Sequence, residues 1–187
     1  MQSLDGKRIA ILATHGFEQS ELEVPLKKLR DAGAQVDVVA PEAGEIRGWD
    51  KKDWGGPVAV DRKLSEASAE AYDALVLPGG QINPDLLRTD PAALDFIRAF
   101  DAQKKVIAAV CHAPWLLIET GIARGRNMTG YKSIRTDLAN AGAKVHDEPV
   151  VVDQGIVTSR NPGDLDAFCD KIAEEVNEGR HRQRQAA

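Results

Sequence analysis

Cysteine is scarce in this sequence: its 187 residues carry only two, Cys111 and Cys169. Two cysteines cannot staple a secreted scaffold, and neither has a partner at the spacing of a zinc site, so no metal or cofactor is implied. A run of about 18 apolar residues is missing, which argues against a bilayer-spanning helix. The N-terminal Met1-Gln2-Ser3-Leu4-Asp5-Gly6 has neither the cationic start nor the apolar stretch of a secretory leader. Basic surplus is absent as well: 24 Lys+Arg stand against 29 Asp+Glu, a net charge of -5, so no nucleic-acid surface is expected. These absences predict a cytoplasmic protein whose partners are neither nucleic acid nor membrane. The chain does hold 43% hydrophobic residues, enough for one sizeable core. One domain over 1–187 is therefore expected, ending in a solvated tail from about 180 to 187.

Apolar runs alternate with helical spacing. Lys7–Thr14, Gln35–Ala40, Ala74–Leu77 and Lys105–Val110 read as strands buried on both faces. Between them Leu22, Leu26 and Leu29 recur at helical spacing up to Gly33, and Asp90-Pro91 caps a helix to about Gln103. Further helices are predicted over Ala113–Thr120, Ser133–Ala141 and from Asn161 to about Asn177. Pro149–Val152 and Ile156–Ser159 flank Asp153-Gln154-Gly155 as a hairpin. The stretch Glu42–Pro57, with Trp49, Trp54 and four glycines, reads as a long surface loop, with a wall of the site or an oligomer contact as the alternative, and Pro57–Asp61 as a short antiparallel addition. The fold class is α/β: a mainly parallel sheet with helices on both faces. Ligands in such sheets bind at the C-terminal strand ends.

Chemistry concentrates where Val110 hands over to a helix, in Ala109-Val110-Cys111-His112-Ala113-Pro114. A nucleophile elbow needs small residues two before and two after the nucleophile, and Ala109 and Ala113 meet that need. A cysteine ahead of a helix should feel the positive end of the dipole, which favours thiolate. A free cysteine is also a common packed hydrophobe, but the polar His112 at the end of an apolar strand points to function, with the histidine as general base or acid. Pro78-Gly79-Gly80 ends another central strand, so the N–H groups of Gly80 and His112 are the expected oxyanion-hole donors. Glu18 and Glu21, three apart at a helix start on the same edge, are candidate acids for the thiol. Cys169, beside Phe168 within the last helix, reads as core.

Five segments in order, GFEQSELEVP from Gly16, LVLPGGQINPD from Leu75, AAVCHAPWLL from Ala108, GIARGRNMTGYKSIRTDLANAG from Gly121 and VVVDQGIVTSRNPGDL from Val150, resemble the ThiJ/PfpI superfamily. That superfamily includes intracellular proteases, general stress proteins and deglycase or glyoxalase III proteins. The resemblance implies a three-layer flavodoxin-like sandwich and a homodimer or larger homo-oligomer. By motif position it makes Cys111 the nucleophile, His112 its partner and Glu21, four residues before Pro25, the acid beside the thiol. It places Tyr131 near the cysteine, and it offers Asp85, reaching in from a neighbouring subunit, as the acid that orients the histidine. The implied substrates are small carbonyls, glycated adducts or peptides; a non-catalytic redox-sensing or chaperone-like stress protein is the alternative. Class I glutamine amidotransferases share the architecture and would use His146, but His146-Asp147-Glu148 precedes the hairpin that their histidine pair follows.

Overall fold

The computed structural model describes residues 1–181. Along the chain, β1 (Arg8–Leu12) leads through α1 (Gln19–Asp31) to β2 (Gln35–Ala40), and a hairpin of β3 (Glu45–Asp50) and β4 (Asp53–Ala59) precedes the two-residue β5 (Arg62–Lys63). β6 (Ala74–Leu77) is followed by α2 (Ile82–Leu87) and α3 (Pro91–Ala102), then β7 (Val106–Val110) by α4 (Pro114–Glu119). The rest comprises β8 (Asn127–Met128), α5 (Arg135–Asn140), β9 (Lys144–Val145), the hairpin β10 (Val150–Asp153) and β11 (Ile156–Ser159), and α6 (Leu165–Glu178).

Seven strands form one sheet in the order β10-β11-β7-β6-β1-β2-β5, parallel throughout except for β10. Successive side chains of a strand point to opposite faces, and the core divides accordingly. Ile9, Ile11, Val36, Val38, Val76, Ala108 and Val110 pack under α1 and α6. Ala10, Leu12, Val39, Leu75, Leu77, Ile107 and Ala109 pack under α3 and α4. Covering both faces excludes water from the backbone ladder of the central strands and explains their unbroken apolar runs. The outcome is the α/β sandwich expected from the sequence, with the C-terminal ends of β1, β6 and β7 side by side.

Local chemistry sets the boundaries. Asp90 caps α3 by accepting from Ala92 N–H at 2.9 Å, with Pro91 in the first turn. Gln154 and Gly155 both take positive φ (51° and 81°), the geometry that lets a two-residue turn follow the strand twist. Pro25 lies inside α1 and cannot supply the N–H that the Glu21 carbonyl would otherwise receive.

Three expectations need correction. Residues 42–57 are not a surface loop: β3 and β4 pair antiparallel, with Trp49 opposite Trp54 and their rings edge to face at 5.5 Å. The sequence carries no signal for this turn, because Lys51 holds the left-handed conformation (φ 55°) that Asn or Gly normally marks. The helix expected over Ser133–Ala141 begins as a 3₁₀ turn, Lys132–Ile134, before α5. His181 is docked rather than frayed, since its N–H donates to Lys104 O at 2.9 Å and its Nε2 lies 3.3 Å from Glu175 Oε2. Residues 182–187 of the expected solvated tail lie outside the described residues.

Candidate active site

Cys111 terminates β7 in a strained turn. Its φ is +63°, a left-handed conformation costly for any residue with a Cβ. The surroundings hold it there: Cys111 N–H donates to Ser159 O at 3.0 Å, and Cys111 O accepts from Tyr131 N–H at 2.8 Å. Ala109 and Ala113 are both fully buried, as the tight elbow requires. The sulfur therefore projects beyond the strand end into a cavity of about 530 Å³.

His112 sits against that sulfur, with Nδ1 at 3.1 Å from Sγ. Its Nε2 lies 3.1 Å from Ser133 Oγ, and its ring stacks on Tyr131 at 4.7 Å and meets the edge of Trp115 at 5.2 Å. Burial holds the imidazole below its ordinary pKa, so it is neutral near pH 7 and available as a base. A base at Nδ1 needs its proton on Nε2, which then donates to Ser133 Oγ. Ser133 Oγ can accept that hydrogen bond and so orients the ring, a role the sequence does not show because nothing in the Gly121–Gly142 segment says that this serine faces the histidine. Ser133→Ala is expected to lower kcat about tenfold with KM little changed, and Ser133→Thr to restore it, because only the orientation of the base is lost. Steady-state kinetics on the three proteins checks this.

Glu21 comes from α1 and is fully buried. Its Oε2 accepts from Gly79 N–H at 2.9 Å; Oε1 has no hydrogen-bond partner among the described residues. Burial first, and then the nearby Glu18 carboxylate, push the Glu21 carboxyl up to about 8. At neutral pH it is mostly the neutral acid, facing Cys111. For the thiol the expectation of a dipole-activated thiolate needs correction. Burial and the Glu21 charge push Cys111 well above the ordinary cysteine range, and the N–H groups of Gly80 and His112 oppose them only partly. The helix after the elbow, α4, has just six residues and starts at Pro114, so loop N–H groups rather than a long dipole face the sulfur. Once Glu21 is protonated, the largest charge opposing a thiolate is gone, and the two groups titrate as one coupled pair.

The Pro78-Gly79-Gly80 turn admits little substitution. A Cβ on Gly79 would lie 2.6 Å from Glu21 Oε2 and 2.7 Å from both Cys111 Cβ and Val110 O, while Gly80 holds φ +77°. Gly79→Ala is expected to cost about 1–3 kcal/mol by overpacking and to displace Glu21 from the thiol. Urea unfolding with parallel thiol alkylation measures both effects.

The remaining candidates separate. Glu18 caps α1 and lines the cavity, as do Gly80 and Tyr131. Asp85 is exposed on α2 and is not a partner of His112 within this chain, where Ser133 holds Nε2. His146 is exposed and bonds Asn127 Oδ1 at 2.9 Å, outside the cavity, so it forms no amidotransferase pair with Cys111. Cys169 is fully buried in α6, its thiol pushed up to about 12 by burial, and behaves as core. Trp49 lines the cavity from the β3–β4 hairpin, so this stretch walls the site.

This geometry has relatives. The model of the DJ-1/PfpI family matches residues 7–175. The chain belongs to that family. The Bacillus subtilis protein YraA, whose name proposes a cysteine protease, is 45% identical over 163 residues, covering 87% of this chain and 94% of the relative. The Escherichia coli protein named protein/nucleic acid deglycase 2 is 42% identical over 164 residues, covering 87% and 93%. Among solved structures, Drosophila melanogaster DJ-1beta superposes with a TM-score of 0.82 at 30% identity, covering 95% of each chain. No helix among the described residues is long and apolar enough to cross a membrane.

Proposed function

We propose that this DJ-1/PfpI protein is a cysteine-dependent enzyme that adds the Cys111 sulfur to the carbonyl carbon of small reactive carbonyls or of glycated adducts. The observation that carries this reading is the fully buried Glu21 carboxyl beside Cys111, both lining a cavity of about 530 Å³, with burial raising that carboxyl to about 8. His112 Nδ1 takes the thiol proton. The sulfur lone pair then forms the S–C bond while the π pair of the carbonyl moves onto oxygen, which faces the N–H groups of Gly80 and His112 and accepts the Glu21 proton. A neutral tetrahedral adduct results, with a Glu21 carboxylate beside a His112 imidazolium; when the adduct collapses, Glu21 takes back the proton of the hydroxyl and the imidazolium gives its proton to the leaving group.

Cavity volume favours this reading over general peptide cleavage. A volume of that size suits a small molecule or one side chain, whereas a peptidase needs a groove along the backbone and an acid for the leaving amine. The resemblance to a named deglycase points the same way. The test is dicarbonyl loss and release of glycated-amine adducts by purified protein, with casein cleavage alongside. Loss of methylglyoxal that depends on Cys111 supports the proposal. No loss above the Cys111→Ala background, with Cys111 becoming oxidised under mild peroxide, would replace it by the redox-sensing reading.

A further inference from the structure

Three metal-ligating side chains converge at the sheet edge opposite Cys111. Among the described residues, Glu175, Glu178 and His181 are the one such group, with a ligand atom from each within 4.8 Å of the other two. Glu175 and Glu178 are three apart near the end of α6 and so share a face of the helix. His181 follows after the helix has ended at Gly179, which takes φ +87°.

The position of His181 is set from outside the group. Its N–H donates to Lys104 O at 2.9 Å, just before β7, whereas Cys111 follows that strand, so the group and the nucleophile lie at opposite ends of β7. The imidazole lies on the β10–β11 turn. A Cβ on Gly155 would sit 2.2 Å from the ring, so the glycine leaves the room that the histidine fills. His181 Nε2 is thereby held 3.3 Å from Glu175 Oε2. Glu175 is only 7% exposed, and burial, then the Glu178 and Glu174 charges, push its carboxyl up. Lys171 pairs with Glu174 at 2.6 Å. A dication beside Glu175 and Glu178 would offset both the buried charge and the repulsion between the two carboxylates.

We propose that Glu175, Glu178 and His181 form a zinc-type transition-metal site that ties the chain after α6 to the β10–β11 turn. Ligand bonds to Zn²⁺ run about 2.0–2.2 Å, so two ligand atoms on one tetrahedral ion sit about 3.4 Å apart. The 3.3 Å between His181 Nε2 and Glu175 Oε2 already has that separation. Glu178 is exposed, and its side chain has room to rotate onto the same ion, leaving the fourth position to water. One imidazole with two carboxylates selects zinc-like ions over Mg²⁺, which takes an octahedron of oxygens. The site needs neither Cys111 nor the reaction proposed above.

Calorimetric titration of Zn²⁺ into the full chain, and into Cys111→Ala to remove a competing thiol, tests this. Cys111→Ala should still bind a single ion. At about a hundredfold excess of free Zn²⁺ over Kd, its unfolding midpoint should rise by about 5 °C or more. In that background His181→Gln and Glu178→Gln should each weaken binding at least about tenfold. Because Glu178 is exposed, its variant reads the site even where His181→Gln loses the packing on Gly155. His146→Gln, at an exposed histidine outside the group, should leave affinity within about twofold. No saturable Zn²⁺ binding, affinity unchanged in His181→Gln or in Glu178→Gln, an equal loss in His146→Gln, or Mg²⁺ bound as tightly as Zn²⁺ would overturn the assignment.

Discussion

Cys111→Ala is expected to reduce dicarbonyl turnover at least about 10³-fold, to the level of free solution, because no other group can form the S–C bond. Alanine retains a Cβ and so bears the same left-handed strain at φ +63°, and the backbone bonds to Ser159 and Tyr131 do not involve the side chain. The variant should therefore fold. Cys169→Ala is the matched control: that thiol is fully buried in α6, outside the cavity, and its removal should leave turnover within about twofold while costing about 1 kcal/mol of packing. Equal loss in both variants would mean that folding, not nucleophilicity, was lost.

Glu21→Gln separates thiol reactivity from proton transfer. Gln keeps an oxygen for Gly79 N–H but carries no transferable proton, so kcat should fall about 10²-fold, the usual worth of a positioned acid. The pH profile follows from the same residues. Activity in the wild type should rise along an acidic limb set below the ordinary histidine range, since burial lowers His112, and fall through about pH 8 as Glu21 ionises. The variant should lack the alkaline fall. Stability depends on the same ionisation. The unfolded carboxyl titrates near 4.5 and the folded one near 8, so between those values the unfolded state binds fewer protons and stability declines as pH rises. The folded state therefore gains from neutral Glu21 fully below about 4.5 and loses that gain through about 8. At pH 7 the ceiling on this cost is on the order of 3 kcal/mol, so Glu21→Gln should be the more stable protein at neutral pH and no more stable near pH 4. Thermal unfolding at the two pH values checks the sign.

Most of the framework was legible because burial on both faces writes itself as unbroken apolar runs. Ile9–Leu12, Ala74–Leu77 and Val106–Val110 are such runs, and the glycines and cysteine that follow them mark the active edge. Cys111, His112, Gly80 and Glu21 could be named from their position at strand ends and helix starts together with the ThiJ/PfpI resemblance. What stayed hidden depends on three-dimensional contact. Ser133 reaches His112 from a 3₁₀ turn, and Trp49 lines the cavity on a hairpin whose turn residue, Lys51, gives no turn signal. The charge state of Cys111 is hidden in the sequence for a related reason: the elbow motif announces loop N–H groups, while burial and the Glu21 charge, which outweigh them, appear only when α1 is folded against β7.

Alkylation of Cys111 by iodoacetamide, followed by peptide mass spectrometry from about pH 5 to 10, reads the coupling between Glu21 and the thiol most directly. With its opposing charge removed, the Glu21→Gln protein should reach its fast-reacting form at lower pH than the wild type, and Cys111, which lines the cavity, should outpace the fully buried Cys169 in both. Superimposable pH profiles, or a Cys111 no more reactive than Cys169, would contradict the account.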